Sequence, residues 1–510
     1  MITNTMHDNA IKGKSSRYFH FPLSVEHERG FVMKKVLHII AAVSLAMATT
    51  CATAADRPLP EWLKRATVYQ MVLRNFTRNG NFKAATAMLD HVRATGVDVV
   101  YLTPFVEMDR DMDEAGWSPS QKRSGFNSPK NPYRVADYNK VDPEYGTFDD
   151  WKAFSAKAHA LGMKVFLDLV YVHCGPNNVL KDLYPDAFQR NEDGSVKMTR
   201  WRFPYVNFDS KPTRKYLIDS MLFWMESGAD GFRCDSGDMV PVEFWEEAAA
   251  TCRKINPELV LINEGNQPKA VEKAFDANYG WPWSVGIRGF LNPVVGVQKY
   301  VKGKSLRAIM DNARQYEARL SANSLMLVMM DNHDLASLKT DGPNRFDRIL
   351  PVEAGNAAFV LMFLRRGLPM LYNGNEIADN APTSFFAPVE HTARVWMSID
   401  WGRALQPAGQ KRLDLIRRLA KLHHDDPVFY DGTHEWLKDG EKVNCVSFVR
   451  QHGNRAMFVA ANLRPTPATF VPGCVSLDPQ KKPILAENFK MDSGGKVHLG
   501  PYGFVVVALK

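Results

Sequence analysis

The 510 residues, 45% apolar and 11% aromatic, describe a globular chain long enough for two or three domains around a large core. Residues 1–54 carry six Lys/Arg and three Asp/Glu, so the formal net charge of +8 falls to +5 beyond them, and no dense basic run remains. That distribution excludes a nucleic-acid footprint.

From Met33 the chain reads MKKVLHIIAAVSLAMATTCATA. A basic start, an apolar run of roughly 15 residues and an Ala-x-Ala ending at Ala54 predict a secretory signal peptide. Residues 1–32 are then an upstream extension, residues 1–54 are removed, and the mature chain is exported, periplasmic or secreted. Cys51 offers lipid anchoring as an alternative, although the Ala-Thr-Thr before it fits poorly. No stretch of the mature chain is long and apolar enough to span a membrane, and a monomer is expected. Cys174, Cys234, Cys252, Cys445 and Cys474 remain. An odd number argues against a full disulfide framework; a Cys445–Cys474 pair is left open. No CxxC or His-x-x-x-His spacing suggests zinc.

Short apolar runs then alternate with amphipathic stretches. Strands are predicted at residues 66–73, 97–104, 163–170, 229–235, 258–264, 324–331 and 368–373, with a less clear one at 274–279. Several are near-continuous apolar runs, as parallel strands buried on both faces require. Helices are predicted at 83–95, 150–161, 213–227, 242–254, 306–320 and 353–364, and another at 410–423. Eight strand–helix repeats over residues 55–425 predict a (β/α)8 TIM barrel, with residues 175–210 as a short insertion after the third strand. Residues 426–510 change to alternating short runs (NCVSFVR, AMFVAANL, VHLGPYGFVVVAL), which predict a C-terminal antiparallel β-sandwich domain.

Chemistry in such barrels sits where strands end and loops begin. The third strand ends with Asp168 and His173, the fourth with Arg233 and Asp235, the fifth with Glu264, and the seventh with Asn332, His333 and Asp334. Alternation puts Arg233 and Asp235 on one face of the strand, with Cys234 opposite. A fixed cation there favours the ionised carboxylate, as a nucleophile requires. Alone, the pair reads equally well as a structural ion pair capping a strand. Three acids, an Arg and two His converging on one rim weigh against coincidence.

DLVYVH (168–173), GFRCD (231–235), Glu264 after an apolar strand, and NHD (332–334) resemble the four signature regions of the α-amylase superfamily of glycoside hydrolases. Weaker similarities run from residue 66 to the C-terminus: YRVADYNKVDPEYGTF from Tyr133, VNFD (206–209), GLPMLYNGNE (367–376) and ARVWMSIDW (393–401). The resemblance implies cleavage of α-glucosidic bonds in starch-like glucans or maltooligosaccharides, with retention. Asp235 would be the nucleophile, Glu264 the general acid and base, and Asp334 the acid that holds sugar hydroxyls. A retaining pair sits roughly 5–5.5 Å apart, and Glu264 must hold a proton at neutral pH. Tyr133 matches the family's stacking tyrosine; His173 and His333 would donate to hydroxyls of the same sugar, and Arg233 would hold the nucleophile ionised. Asp168 is expected to orient rather than react.

Two positions depart from the family pattern. Val172 stands where the first signature has Asn, and Asp238-Met239 where the second often ends Lys-His. Val has no ligand atom and a Met sulfur is too soft for a hard cation, so the usual calcium site is expected to be absent; the chemistry needs no cofactor. A transglycosylase or sugar isomerase would use the same three acids, and a non-catalytic carbohydrate-binding relative would typically have lost one. Specificity lies in loops 109–130, 175–210 and 380–391, where Trp117, Trp201, Phe203, Phe385 and Phe386 serve either as sugar platforms or as loop packing. Trp281 and Trp283 carry the same ambiguity.

Overall fold

The computed structural model describes residues 57–292, 301–338, 344–388, 390–391, 396–473 and 475–509. The predicted signal peptide and Cys474 lie outside the described residues. Eight parallel strands close into a barrel: β1 Val68–Met71, β2 Val99–Leu102, β3 Lys164–Leu169, β4 Gly231–Cys234, β5 Val260–Asn263, β6 Ala277–Tyr279, β7 Leu325–Met329 and β8 Leu368–Tyr372. Each pairs with its sequence neighbours, and β1 pairs with β8 to complete the ring. Alternation aims Val68, Val99, Tyr101, Phe166, Ile262, Leu327 and Met370 into the barrel, where they form its inner core.

The helices carry local start signals. Helix α1, Phe148–Ala160, opens with a capping box in which Thr147 and Asp150 exchange side-chain and backbone bonds. Ser210 caps α2, Lys211–Glu226, and accepts the Thr213 amide hydrogen. The first predicted helix is two short pieces, Phe82–Ala87 and Leu89–Ala94, joined at Met88. Trp281–Leu291, for which no helix was predicted, forms α3 directly after β6. It buries Trp283 beneath the Arg365 guanidinium, 4.8 Å from the ring centroid, so that indole is core.

Helix α4, Val352–Leu364, is apolar nearly all round and buried from Ala354 to Leu364. Such a helix needs cover on both sides, and the C-terminal domain provides the second side. Phe448, Met457, Val459, Ala461, Phe504 and Val506 join the same core as Phe359 and Phe363. Their strand neighbours Phe458, Ala460, Val505 and Val507 point into a separate core. The domain's antiparallel strands are β9 Thr433–Leu437, β10 Cys445–His452, β11 Arg455–Asn462, β12 Ala468–Phe470, β13 Leu485–Met491 and β14 Val497–Ala508. All six belong to one curled sheet. The twelve-residue β14 carries β13 along one edge, with β12 and β11 in succession along the other. Cys445 is a free, buried thiol.

Candidate active site

Strand register assembles the site. Asp168 on β3 lies beside Arg233 on β4, and Cys234 beside Asn263 on β5. Asp235 and Glu264 therefore leave the ends of neighbouring strands at the same level. Backbone bonds fix both: the Asp235 amide donates to the Leu169 carbonyl (2.8 Å) and the Glu264 amide to the Cys234 carbonyl (3.0 Å). Ser236 then turns the chain in a left-handed conformation (φ 44°) and aims its amide at Glu264 Oε2, 2.8 Å away.

Arg233 is wholly buried and serves three carboxyl groups. Its Nη1 donates to Asp168 Oδ1 (2.6 Å) and Asp235 Oδ1 (3.0 Å), its Nη2 lies 2.8 Å from Glu264 Oε2, and its Nε donates to the Tyr279 hydroxyl (3.2 Å). The sequence led us to expect Arg233 to hold Asp235 below the ordinary carboxylate range. The net direction is the reverse: burial and the adjacent Glu264 charge push Asp235 well up, and the guanidinium opposes them only in part. One cation shared among three acids does not neutralise them.

The remaining predicted residues converge on the same place. Asp168 Oδ2 accepts hydrogen bonds from the Tyr101 (2.7 Å) and Tyr133 (2.9 Å) hydroxyls, so both its oxygens are occupied in orienting neighbours. Tyr133 stacks on His333 with centroids 5.1 Å apart and planes 11° from parallel. Burial lowers His333 and His173 to about 4, keeping both rings neutral at pH 7. His333 Nε2 lies 2.7 Å from the Tyr133 hydroxyl and 3.5 Å from Asp334 Oδ2, and a ring nitrogen of His173 (Nε2) lies 3.1 Å from the Tyr133 carbonyl oxygen. The Asp334 side chain is half exposed to the cleft.

A cleft of about 310 Å³ takes in Asp235, Glu264, Asp334, Tyr133, His173 and His333, but not the fully buried Arg233. Trp201, Phe203, Phe385 and Phe386 also line it, whereas Trp117 is packed inside its own loop with its indole N–H on the Asp111 carbonyl. Arg74, buried and paired with Glu144, donates to the Phe385 carbonyl and anchors that wall. Sequence reasoning missed Gln70, Tyr101 and Tyr279. Gln70 and Tyr101 signalled themselves as polar groups inside apolar strands, which a buried strand tolerates only when the group has a partner, whereas Tyr279, the last residue of the short β6, gave no such signal.

Beyond β4, Asp238 accepts from Asn263 Nδ2 (2.8 Å) and from the amides of Asn266 (2.9 Å) and Gln267 (3.3 Å). It approaches so closely that a Cβ on Gly265 would lie 2.2 Å from its Oδ1. Val172 is buried and offers no donor atom, and Met239 presents an exposed thioether. Neither the Val172 nor the Met239 side chain supplies the oxygen ligand that a hard cation needs.

A family model described as "Alpha amylase, catalytic domain" matches residues 59–193 and 176–384. The chain belongs to the alpha-amylase family. Within this family of glycoside hydrolases, it is 25% identical over 441 residues to Alpha-amylase MalA of Haloarcula japonica, covering 82% of this chain but only 58% of that relative's length. It is 24% identical over 455 residues to Neopullulanase 2 of Thermoactinomyces vulgaris, covering 79% of this chain and 70% of that one. An alpha-amylase structure from Lactobacillus plantarum superposes with a TM-score of 0.69 at 23% identity, covering 88% of this chain and all of that one. One from Geobacillus thermoleovorans gives 0.67 at 20% identity, covering 88% and 99%. These likenesses support the alpha-amylase barrel and its C-terminal sheet. Among the described residues no helix is long and apolar enough to cross a membrane.

Proposed function

We propose that the protein is an exported hydrolase of α-glucosidic bonds in starch-like glucans or maltooligosaccharides, acting with retention. The observation that carries this reading is the shared guanidinium: Arg233 touches both Asp235 and Glu264 at the ends of adjacent strands, in a cleft that Asp334 also lines. Asp235 attacks the anomeric carbon as Glu264 protonates the leaving oxygen, giving a covalent glycosyl-enzyme. Glu264 then deprotonates the water that releases the sugar. Asp334 holds hydroxyls of the distorted sugar, and Tyr133 gives its apolar face a platform.

The test is product analysis on maltooligosaccharides with Asp235→Asn as control. Release of glucose or maltose, lost in the variant, supports hydrolysis. Longer products would mean transfer, and wild-type turnover by the variant would refute the nucleophile assignment.

Two further readings belong to this proposal. Export rests on the pattern of residues 33–54, and N-terminal sequencing of the mature protein should begin just after Ala54. Independence from calcium at the site bounded by Val172 and Met239 rests on their lack of a suitable ligand atom. Exhaustive chelation should leave melting temperature and activity unchanged; release of a tightly held calcium from the loop after β3 would overturn it.

A further inference from the structure

The loop after β3 ends in a tight turn, residues 199–203, built to present two side chains. The Thr199 amide donates to the Phe203 carbonyl (2.8 Å), and the Thr199 hydroxyl accepts the Trp201 and Phe203 amides (3.2 Å each). Arg202 adopts a left-handed conformation (φ 66°) that a non-glycine residue holds only when its surroundings over-determine it. Phe203 is buried with its ring 5.0 Å from His173 and anchors the turn. Trp201, half-buried, packs its ring 5.1 Å from the same imidazole. The exposed Arg200 guanidinium lies over the Trp201 ring, 4.4 Å from its centroid. From the reaction centre outward the contacts therefore run His173, Trp201, Arg200, and all three line the cleft.

We infer that this turn selects the second sugar of the substrate. Trp201 supplies an apolar wall, and Arg200 a planar fork of N–H donors, for a neutral glucosyl unit joined to the one that Asp235 attacks. The inference rests on the proposed function. The guanidinium rests over the indole, a contact that restrains where its donors lie before a ligand arrives. A neutral partner is favoured because Asp235, Glu264 and Asp334 line the same cleft, and their charge opposes a phosphate or uronate.

The experiment compares maltotriose with α-D-glucosyl fluoride, whose leaving group carries no second sugar. The ratio of their kcat/KM values should fall about tenfold in Arg200→Gln and in Trp201→Ala, the loss expected of one or two contacts to the missing sugar. Trp201→Phe should restore much of it. An unchanged ratio, whether both activities persist or both fall together, overturns the inference. A wild-type preference for 6-phosphomaltose that Arg200→Gln abolishes would also overturn it, by assigning the arginine to an anion. A wild type inactive on the fluoride and on maltotriose alike would instead remove the proposed function, and the inference with it.

Discussion

Gln70 grips His333 at two points. Its Oε1 accepts the His333 backbone amide (3.0 Å) and its Nε2 lies 2.9 Å from the ring Nδ1. Because Oε1 is committed to accepting, Nε2 must donate, so Nδ1 is the acceptor and the ring proton sits on Nε2. That proton points at the Tyr133 hydroxyl, which in turn donates to Asp168. One amide on β1 thus sets the direction of a chain of hydrogen bonds that ends on a carboxylate shared with Arg233.

Gln70→Leu should break this order. The buried His333 amide and Nδ1 lose their partners, a cost of about 1–3 kcal/mol, and the imidazole is freed to adopt its other tautomer. We expect a lower melting temperature together with a drop in kcat, since the ring and Tyr133 line the cleft beside Asp235 and Glu264. Wild-type kcat alongside reduced stability would confine Gln70 to a structural role.

Glu264→Gln removes the proton donor while keeping the shape. Turnover of natural maltooligosaccharides should fall about 10²–10⁴-fold. Formation of the glycosyl-enzyme from an activated substrate such as α-D-glucosyl fluoride should survive, because fluoride leaves unaided, and added azide should speed release of the sugar. Equal losses on both substrate types would contradict the acid's role.

Replacing Arg233 exposes how the carboxyl groups depend on it. Arg233→Leu leaves Asp168, Asp235 and Glu264 facing one another with no cation, so a destabilisation of about 3–5 kcal/mol is expected. Asp235 already lies above the ordinary carboxylate range. Without the opposing guanidinium it rises further, and the acid limb of the kcat/KM profile should move to higher pH. An unmoved limb in a folded variant would show that Arg233 does not govern the ionisation of the pair.

Acid should weaken the fold through its buried imidazoles. Burial lowers His173 and His333 to about 4 and His423 to about 3, and burial aided by Arg450 and Arg365 holds His434 well below its ordinary value. All lie below the ordinary value near 6.5, so the unfolded chain binds more protons than the folded one as pH falls past it. Stability is then intact above about pH 6.5 and declines towards pH 4, by up to about 1.4 kcal/mol per pH unit for each such histidine. His434, packed against Trp436 and Phe448, sits where the C-terminal sheet meets the barrel. His434→Phe should make the decline in melting temperature shallower, and an unaltered slope would count against this account.

The strands, and the convergence of Asp235, Glu264 and Asp334 on one cleft, were legible because each announces itself locally. Strands buried on both faces read as apolar runs, and an acid that ends such a run stands on the rim where barrel chemistry takes place. Strand β6 was faint because only three residues, Ala277–Tyr279, pair with their neighbours. Helix α3 was unreadable because WPWSVGIRGFL carries Pro282 and two glycines, Gly286 and Gly289, which punctuate the stretch as a loop would. The loops concealed most. Trp117 and Trp201 look alike in sequence, yet one is packed within its loop and the other lines the cleft. That difference is decided by the turn at Thr199, which sets Trp201 beside His173, and by the Asp111 carbonyl that holds the Trp117 indole, contacts that neither tryptophan's own position announces.

Asp238, three residues beyond Asp235, grips the segment that follows Glu264. The loop bearing Asp235 and the loop bearing Glu264 are thereby riveted together by one carboxylate and three N–H groups. Their spacing is then a property of a single rigid hinge plate, with thermal drift of one loop carried over to the other. Because both partners of every bond belong to the chain, this fastening does not depend on capturing a solute from the surroundings.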